Sequence, residues 1–178
     1  MTLAITDAKS AGGNHARAVA SVRARLSALE ANGVHVLHSI SVGSAACEID
    51  HLLIGPAGVY AITAQRLPGR HIAVSGYTMA IDDSHVPHLL NAKFEAERAA
   101  SLLGAQVGFD VPVRGCVVAL TGAFAPHVTY EARPIGVSLL AKRDIPRWFL
   151  RQPAILTNDQ VEALVDAARR STTWAAQA

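Results

Sequence analysis

The chain has 178 residues, 51% hydrophobic and 17% charged, a balance that excludes intrinsic disorder and allows one domain with a substantial core. A formal net charge of +2 is too small to announce a nucleic-acid or membrane partner on its own. No run approaches the roughly 20 apolar residues a membrane-spanning helix needs, so no membrane partner is expected.

The opening MTLAITDAKSAGG lacks a basic region followed by a long apolar stretch, so a signal peptide is not expected. Cys47 and Cys116, the two cysteines, are then expected as reduced thiols in a cytoplasmic protein. Residues 1–13 read as a flexible lead-in ending in Gly12-Gly13, and residues 14–178 as one domain. Asn14 can cap a helix to about Asn32, with Val19, Val22, Leu26 and Leu29 on one stripe and Gly33 as its stop. Residues 34–42 alternate like a strand.

Two strand-like runs then flank Gly55-Pro56-Ala57-Gly58, in which Pro56 fixes φ and Gly58 frees the backbone for a turn. Closing that hairpin sets Ile54 opposite Val59, Leu52 opposite Ala61, Asp50 opposite Thr63 and Glu48 opposite Gln65. Period-two alternation places Glu48, Asp50, Thr63 and Gln65 on one face, with Ile49, His51, Leu53, Tyr60 and Ile62 on the other.

A second hairpin is expected over 71–74 and 78–81, then a helix over 89–103 stopped by Gly104. Residues 113–120 form an apolar strand buried on both faces, and residues 134–140 another strand. Pro146 opens a short helix with Trp148 and Leu150. Thr157-Asn158-Asp159-Gln160 approximates a capping box for a helix over 161–170. This order predicts an α/β domain with one mixed β-sheet flanked by α-helices.

The hairpin is similar to that of the NERD (nuclease-related) domain, a branch of the PD-(D/E)xK nucleases. The similarity rests on Ile49-Asp50-His51, Gly55-Pro56, Gly58 and Ile62. Asn91-Ala92-Lys93-Phe94-Glu95 resembles the family's Asn-Pro-x-x-Gln at the start of a helix, with Glu95 in place of Gln. The run 111–120 resembles a later core strand, and 145–174 the closing helices. The resemblance implies a restriction-endonuclease-like fold and places Asp50 on the family's metal-binding aspartate. The family's glutamate and lysine positions fall on Thr63 and Gln65.

In the mechanism that the resemblance implies, two carboxylates hold a divalent ion that activates water, and a lysine assists. Thr63 removes an anionic ligand, and Gln65 removes a positive charge that an amide cannot supply. Loss of one preorganised catalytic group commonly costs ~10²–10³ in rate. The expectation is therefore a pseudonuclease with no cofactor, serving as a nucleic-acid-binding or protein-interaction module. Self-association is a further option.

The alternative is a weak Mg²⁺- or Mn²⁺-dependent phosphodiesterase in which Asp50 and Glu48 hold the metal and carry the chemistry. Against it, Glu48 can be read as a solvated strand end and Asp50 as a hydrogen-bonded structural carboxylate. Neither Arg66, on the opposite face, nor Lys93, on a helix, replaces the lysine. His51 reads as a satisfied core histidine, and Pro87 between His85 and His88 argues against a zinc pair. Lys142, Arg143, Arg147 and Arg151 form the candidate nucleic-acid-binding patch, with Arg147 and Arg151 one helical turn apart. An ordinary solvated surface is the competing reading, for these residues and for Arg17, Arg23 and Arg25.

Overall fold

The computed structural model describes residues 3–43, 48–67, 71–121 and 126–175, with side chains described from Ala16 onward. Helix α1 spans Leu3–Glu30 and so begins before Asn14, taking in most of the expected lead-in. Its buried stripe is Ala18, Val22, Leu26 and Leu29, the 3.6-residue repeat of the sequence. Gly33 (φ 74°) turns the chain into β1, His35–Ser41.

Strands β2 (Glu48–Gly55) and β3 (Gly58–Arg66) form the expected hairpin. Its recorded pairs include Ile54 with Val59 and Leu52 with Ala61, closing at Gly55 and Gly58. Gly58 has φ 113°, which a side chain disfavours, and an added Cβ would lie 3.2 Å from Ile155.

Next come β4 (His71–Ser75), β5 (Thr78–Ile81), β6 (Ser84–Val86), α2 (His88–Val107) and β7 (Val113–Leu120). Gly108 (φ 74°), not Gly104, stops α2, its N–H bonding to the Gly104 carbonyl at 2.9 Å. The chain ends with β8 (His127–Ala132), β9 (Val137–Ala141), a 3₁₀ turn (Lys142–Asp144), α3 (Ile145–Phe149), α4 (Asn158–Arg169) and α5 (Ser171–Trp174). Thr157 and Gln160 complete a reciprocal capping box at α4.

The α/β fold class is as expected, but the strands form two mixed sheets rather than one. A five-stranded sheet has the order β1-β2-β3-β7-β9, and a four-stranded sheet the order β6-β5-β4-β8. In the larger sheet β1, β2 and β3 are antiparallel, whereas β3, β7 and β9 are parallel. Leu53, Tyr60 and Ile62 pack under α1 and α3, while Leu52, Ile54 and Ala61 pack under α2 and α4. The smaller sheet packs against the start of α2 and against β7 and β9.

The predicted alternation fails at one place. Ile49 joins Leu52 and Ile54 instead of Leu53 and Tyr60. Ser39, between paired residues His38–His51 and Ile40–Ile49, has φ 53°. A left-handed residue interrupts the pleat and shifts the side-chain phase of both strands beyond it. Ile40 and Ile49 consequently turn together into the α2–α4 core.

Candidate functional site

The β2–β3 ladder has its last recorded pair at His51 and Ile62; Asp50 and Thr63 are not paired across the backbone. Beyond that point β3 runs along β7, with Thr63 beside Val117 and Gln65 beside Ala119. The Asp50 side chain bridges the gap instead, its Oδ2 accepting the Ala64 N–H at 2.8 Å. Asp50 is only 5% exposed, so this bond satisfies a buried backbone donor.

Thr63 donates its hydroxyl to Oε2 of Glu95 at 2.7 Å. Glu95 reaches β3 because α2 lies tight on β7, where a Cβ on Gly115 would stand 2.6 Å from the Ala92 carbonyl oxygen. Ala92 and Glu95 are three apart and share a helix face. Burial raises the pKa of Glu95; the Thr63 hydrogen bond opposes that shift and the negative charge of Asp50 adds to it. Glu95 is thus the carboxylate gathered beside Thr63 and Asp50.

Glu48 lies elsewhere in character. It is exposed at the end of β2, opposite Ser41, beyond the phase shift at Ser39 and Asp50. The expected shared face of Glu48, Asp50, Thr63 and Gln65 is corrected accordingly. Among the described residues no group of three or more His, Cys, Asp or Glu side chains is arranged to hold a metal ion. Two carboxylates, a hydroxyl engaged with one of them and a neutral Gln65 are a poor match to the two-carboxylate-and-lysine centre.

His51 is fully buried on the α1 side, as a core histidine should be. Its Nε2 lies 3.2 Å from the Val19 carbonyl and its Nδ1 2.7 Å from Nδ1 of His38. The carbonyl can only accept, so Nε2 carries the proton and His38 donates to the bare Nδ1. Lys93 points away to Glu97, 2.6 Å distant, and lies over the Tyr77 and Phe94 rings. Cys116 is buried, which pushes its thiol up to about 12, with Arg114 opposing; it is not a nucleophile. Cys47 lies outside the described residues.

The expected basic patch divides. Lys142 and Arg143 line a cavity of about 700 Å³ together with Arg17 and Arg66. The cavity sits at the C-terminal ends of β3, β7 and β9, between α1 and the smaller sheet. Arg147 and Arg151 are exposed and do not line it, and α3 ends at Phe149, before Arg151. Arg17, read from sequence as a surface charge, and Arg66, read as lying on the face opposite Gln65, are the residues that periodicity could not bring to this place.

No described helix is long and apolar enough to cross a membrane. The family profile described as the nuclease-related domain, NERD, matches residues 14–120, from within α1 to the end of β7. The match ends before α3, α4 and α5. Neither the curated proteins nor the solved structures gave a match.

Proposed function

The chain belongs to the NERD (nuclease-related domain) family, and from that premise we propose that it is a pseudonuclease that binds nucleic acid without cleaving it. One observation carries this reading. The resemblance puts the family's glutamate and lysine positions at Thr63 and Gln65, and the Thr63 hydroxyl is engaged with Glu95. A hydroxyl and an amide supply neither the anion nor the cation that metal-assisted phosphodiester hydrolysis uses. Asp50, the remaining matched group, has a sufficient structural role in receiving the Ala64 N–H.

Binding requires less than catalysis. Phosphate contacts need only cationic side chains and backbone donors at the right spacing, and they dominate affinity. Lys142 and Arg143, joined by Arg17 and Arg66, supply such cations. Arg147 and Arg151 are further exposed cations, close in sequence but outside that cavity.

The enzyme reading has one observation in its favour, the approach of Glu95 to Asp50 as a second carboxylate. Incubation with single-stranded and duplex DNA and with RNA, in Mg²⁺ or Mn²⁺, separates the two. Asp50→Asn is the control because its amide oxygen can still accept from Ala64. We expect no divalent-dependent cleavage, and binding that weakens steeply with salt through counterion release. Turnover abolished by Asp50→Asn would establish the enzyme, whereas no binding at low salt would leave a protein partner or self-association.

A further inference from the structure

Four cationic side chains from three parts of the chain converge on one concavity: Arg17 from α1, Arg66 from β3, and Lys142 and Arg143 from the 3₁₀ turn. Asp144 is the one carboxylate among the described lining residues, and its Oδ1 lies 3.8 Å from Nε of Arg143. Like charges gathered around one concavity repel one another and give it a positive potential. Lys142 is fixed at the wall by donating to Ser21 Oγ at 2.9 Å, which leaves two of its three ammonium hydrogens for a ligand. The recess also has an apolar side, formed by Val128, Tyr130 and Leu139 over the buried Ile72.

Shape and charge together define the ligand. The volume of about 700 Å³ lies in the range of small-molecule sites, and the C-terminal ends of parallel strands are where open α/β sheets bind ligands. A duplex presents singly charged phosphates in a row and calls for a stripe of cations along a surface. Cations gathered at one recess suit a phosphomonoester, which carries about −1.5 to −2 at neutral pH. The apolar wall suits the ribose and base attached to it.

We propose that this cavity binds a nucleoside phosphomonoester, as a free nucleotide or as the phosphorylated end of a single strand. Arg17, Arg66 and Lys142 face the phosphate, and Val128, Tyr130 and Leu139 face the nucleoside. This deepens the nucleic-acid reading and rests on it only for the strand-end source.

Calorimetry on the full chain tests the site with adenosine monophosphate, inorganic phosphate, and a short oligothymidylate with and without a 5′-phosphate. Removing the terminal phosphate should weaken oligonucleotide binding roughly tenfold, and Arg17→Gln or Lys142→Gln should each weaken the nucleotide by a similar factor. Arg98→Gln, on the exposed face of α2 and outside the cavity, should leave binding unchanged, and melting curves establish that each variant is folded. Because Arg17 is an exposed helix residue, its variant keeps the test open if Lys142→Gln fails to fold. Unchanged affinity in Arg17→Gln, or inorganic phosphate binding as tightly as the nucleotide, would overturn the proposal, and equal binding of the two oligonucleotides would overturn the strand end as the ligand's source.

The two readings fail separately. Salt-dependent DNA binding that survives both cavity substitutions would sink the cavity and spare the nucleic-acid module. Nucleotide binding with no affinity for any DNA or RNA would do the reverse.

Discussion

Lowering the pH should weaken the fold through His51. Burial drops its pKa from 6.5 to about 4; neighbouring His38 and Arg23 push in the same direction, and the Val19 carbonyl opposes them. A depressed folded-state pKa means that the unfolded chain takes up the proton first. The stability that neutral His51 contributes is therefore complete above pH 6.5, falls as the pH drops toward 4, and levels off below that. At 1.36 kcal/mol per unit, a depression of this size corresponds to a loss of about 3 kcal/mol. Geometry gives the cause: a proton on Nδ1 of His51 would face the N–H of His38 across 2.7 Å, donor against donor.

Urea unfolding at several pH values between 7 and 4, on the wild type and on His51→Leu, measures the effect. The variant should start lower, because His38 loses its acceptor, and should lose about 3 kcal/mol less across that range. Carboxylates that titrate below pH 5 contribute to both curves and cancel in the difference. Parallel pH profiles, or an imidazole resonance of His51 titrating near 6.5, would refute the reasoning.

Gly115→Ala should cost about 1–3 kcal/mol in denaturant unfolding, because its Cβ would meet the Ala92 carbonyl at 2.6 Å and push α2 from β7. A change under about 0.5 kcal/mol would show that α2 moves freely. Glu95→Gln keeps an acceptor for Thr63 and removes a half-buried negative charge near Asp50, so thermal stability should rise at pH 7. A raised folded pKa destabilises the ionised form, so this gain should shrink as the pH falls. Thr63→Glu with Gln65→Lys should bring Mn²⁺-dependent stabilisation, reaching about 2.7 kcal/mol at a hundredfold excess over Kd; no thermal shift with Mn²⁺ would refute the placement of these side chains. Asp50→Ala should lose about 1–3 kcal/mol by leaving the Ala64 N–H without its acceptor, and Asp50→Asn markedly less, as read by urea unfolding.

Local signals carried most of the fold. Gly55-Pro56-Ala57-Gly58 predicts the hairpin and its register near the turn, because turn geometry acts over four residues. The capping box at Thr157 and the stripe on α1 are equally short-range. Strand β8 carries only a short alternation, Val128, Tyr130 and Ala132 against His127, Thr129 and Glu131, and with no member fully buried it is too brief and too exposed to mark a strand by itself. Without β8 and β6, the second sheet reduces to one hairpin. The left-handed Ser39 has no sequence signature either, since serine is not a residue that marks positive φ. The Thr63–Glu95 contact spans 32 positions and depends on how closely α2 approaches β7, which a single Gly115 permits but does not announce.

Asp50 shows why an acidic residue at the place of a metal ligand is weak evidence for catalysis. At the place where β2 leaves β3, the Ala64 N–H faces inward with no carbonyl from the opposite strand. A buried donor without a partner costs about as much as a lost hydrogen bond, so the fold itself calls for an acceptor at position 50. A carboxylate on β2 provides it over 2.8 Å, whether or not a metal ion is ever bound. Thr63 has no such duty toward the sheet: its hydroxyl faces Glu95, and a change there alters the chemistry of the pocket without removing a backbone bond. On the proposed reading, Thr63 and Gln65 can therefore lack the charges of catalysis while Asp50 keeps its place in the sheet. The aspartate reports the scaffold, and the side chains at 63, 65 and 95 report the chemistry.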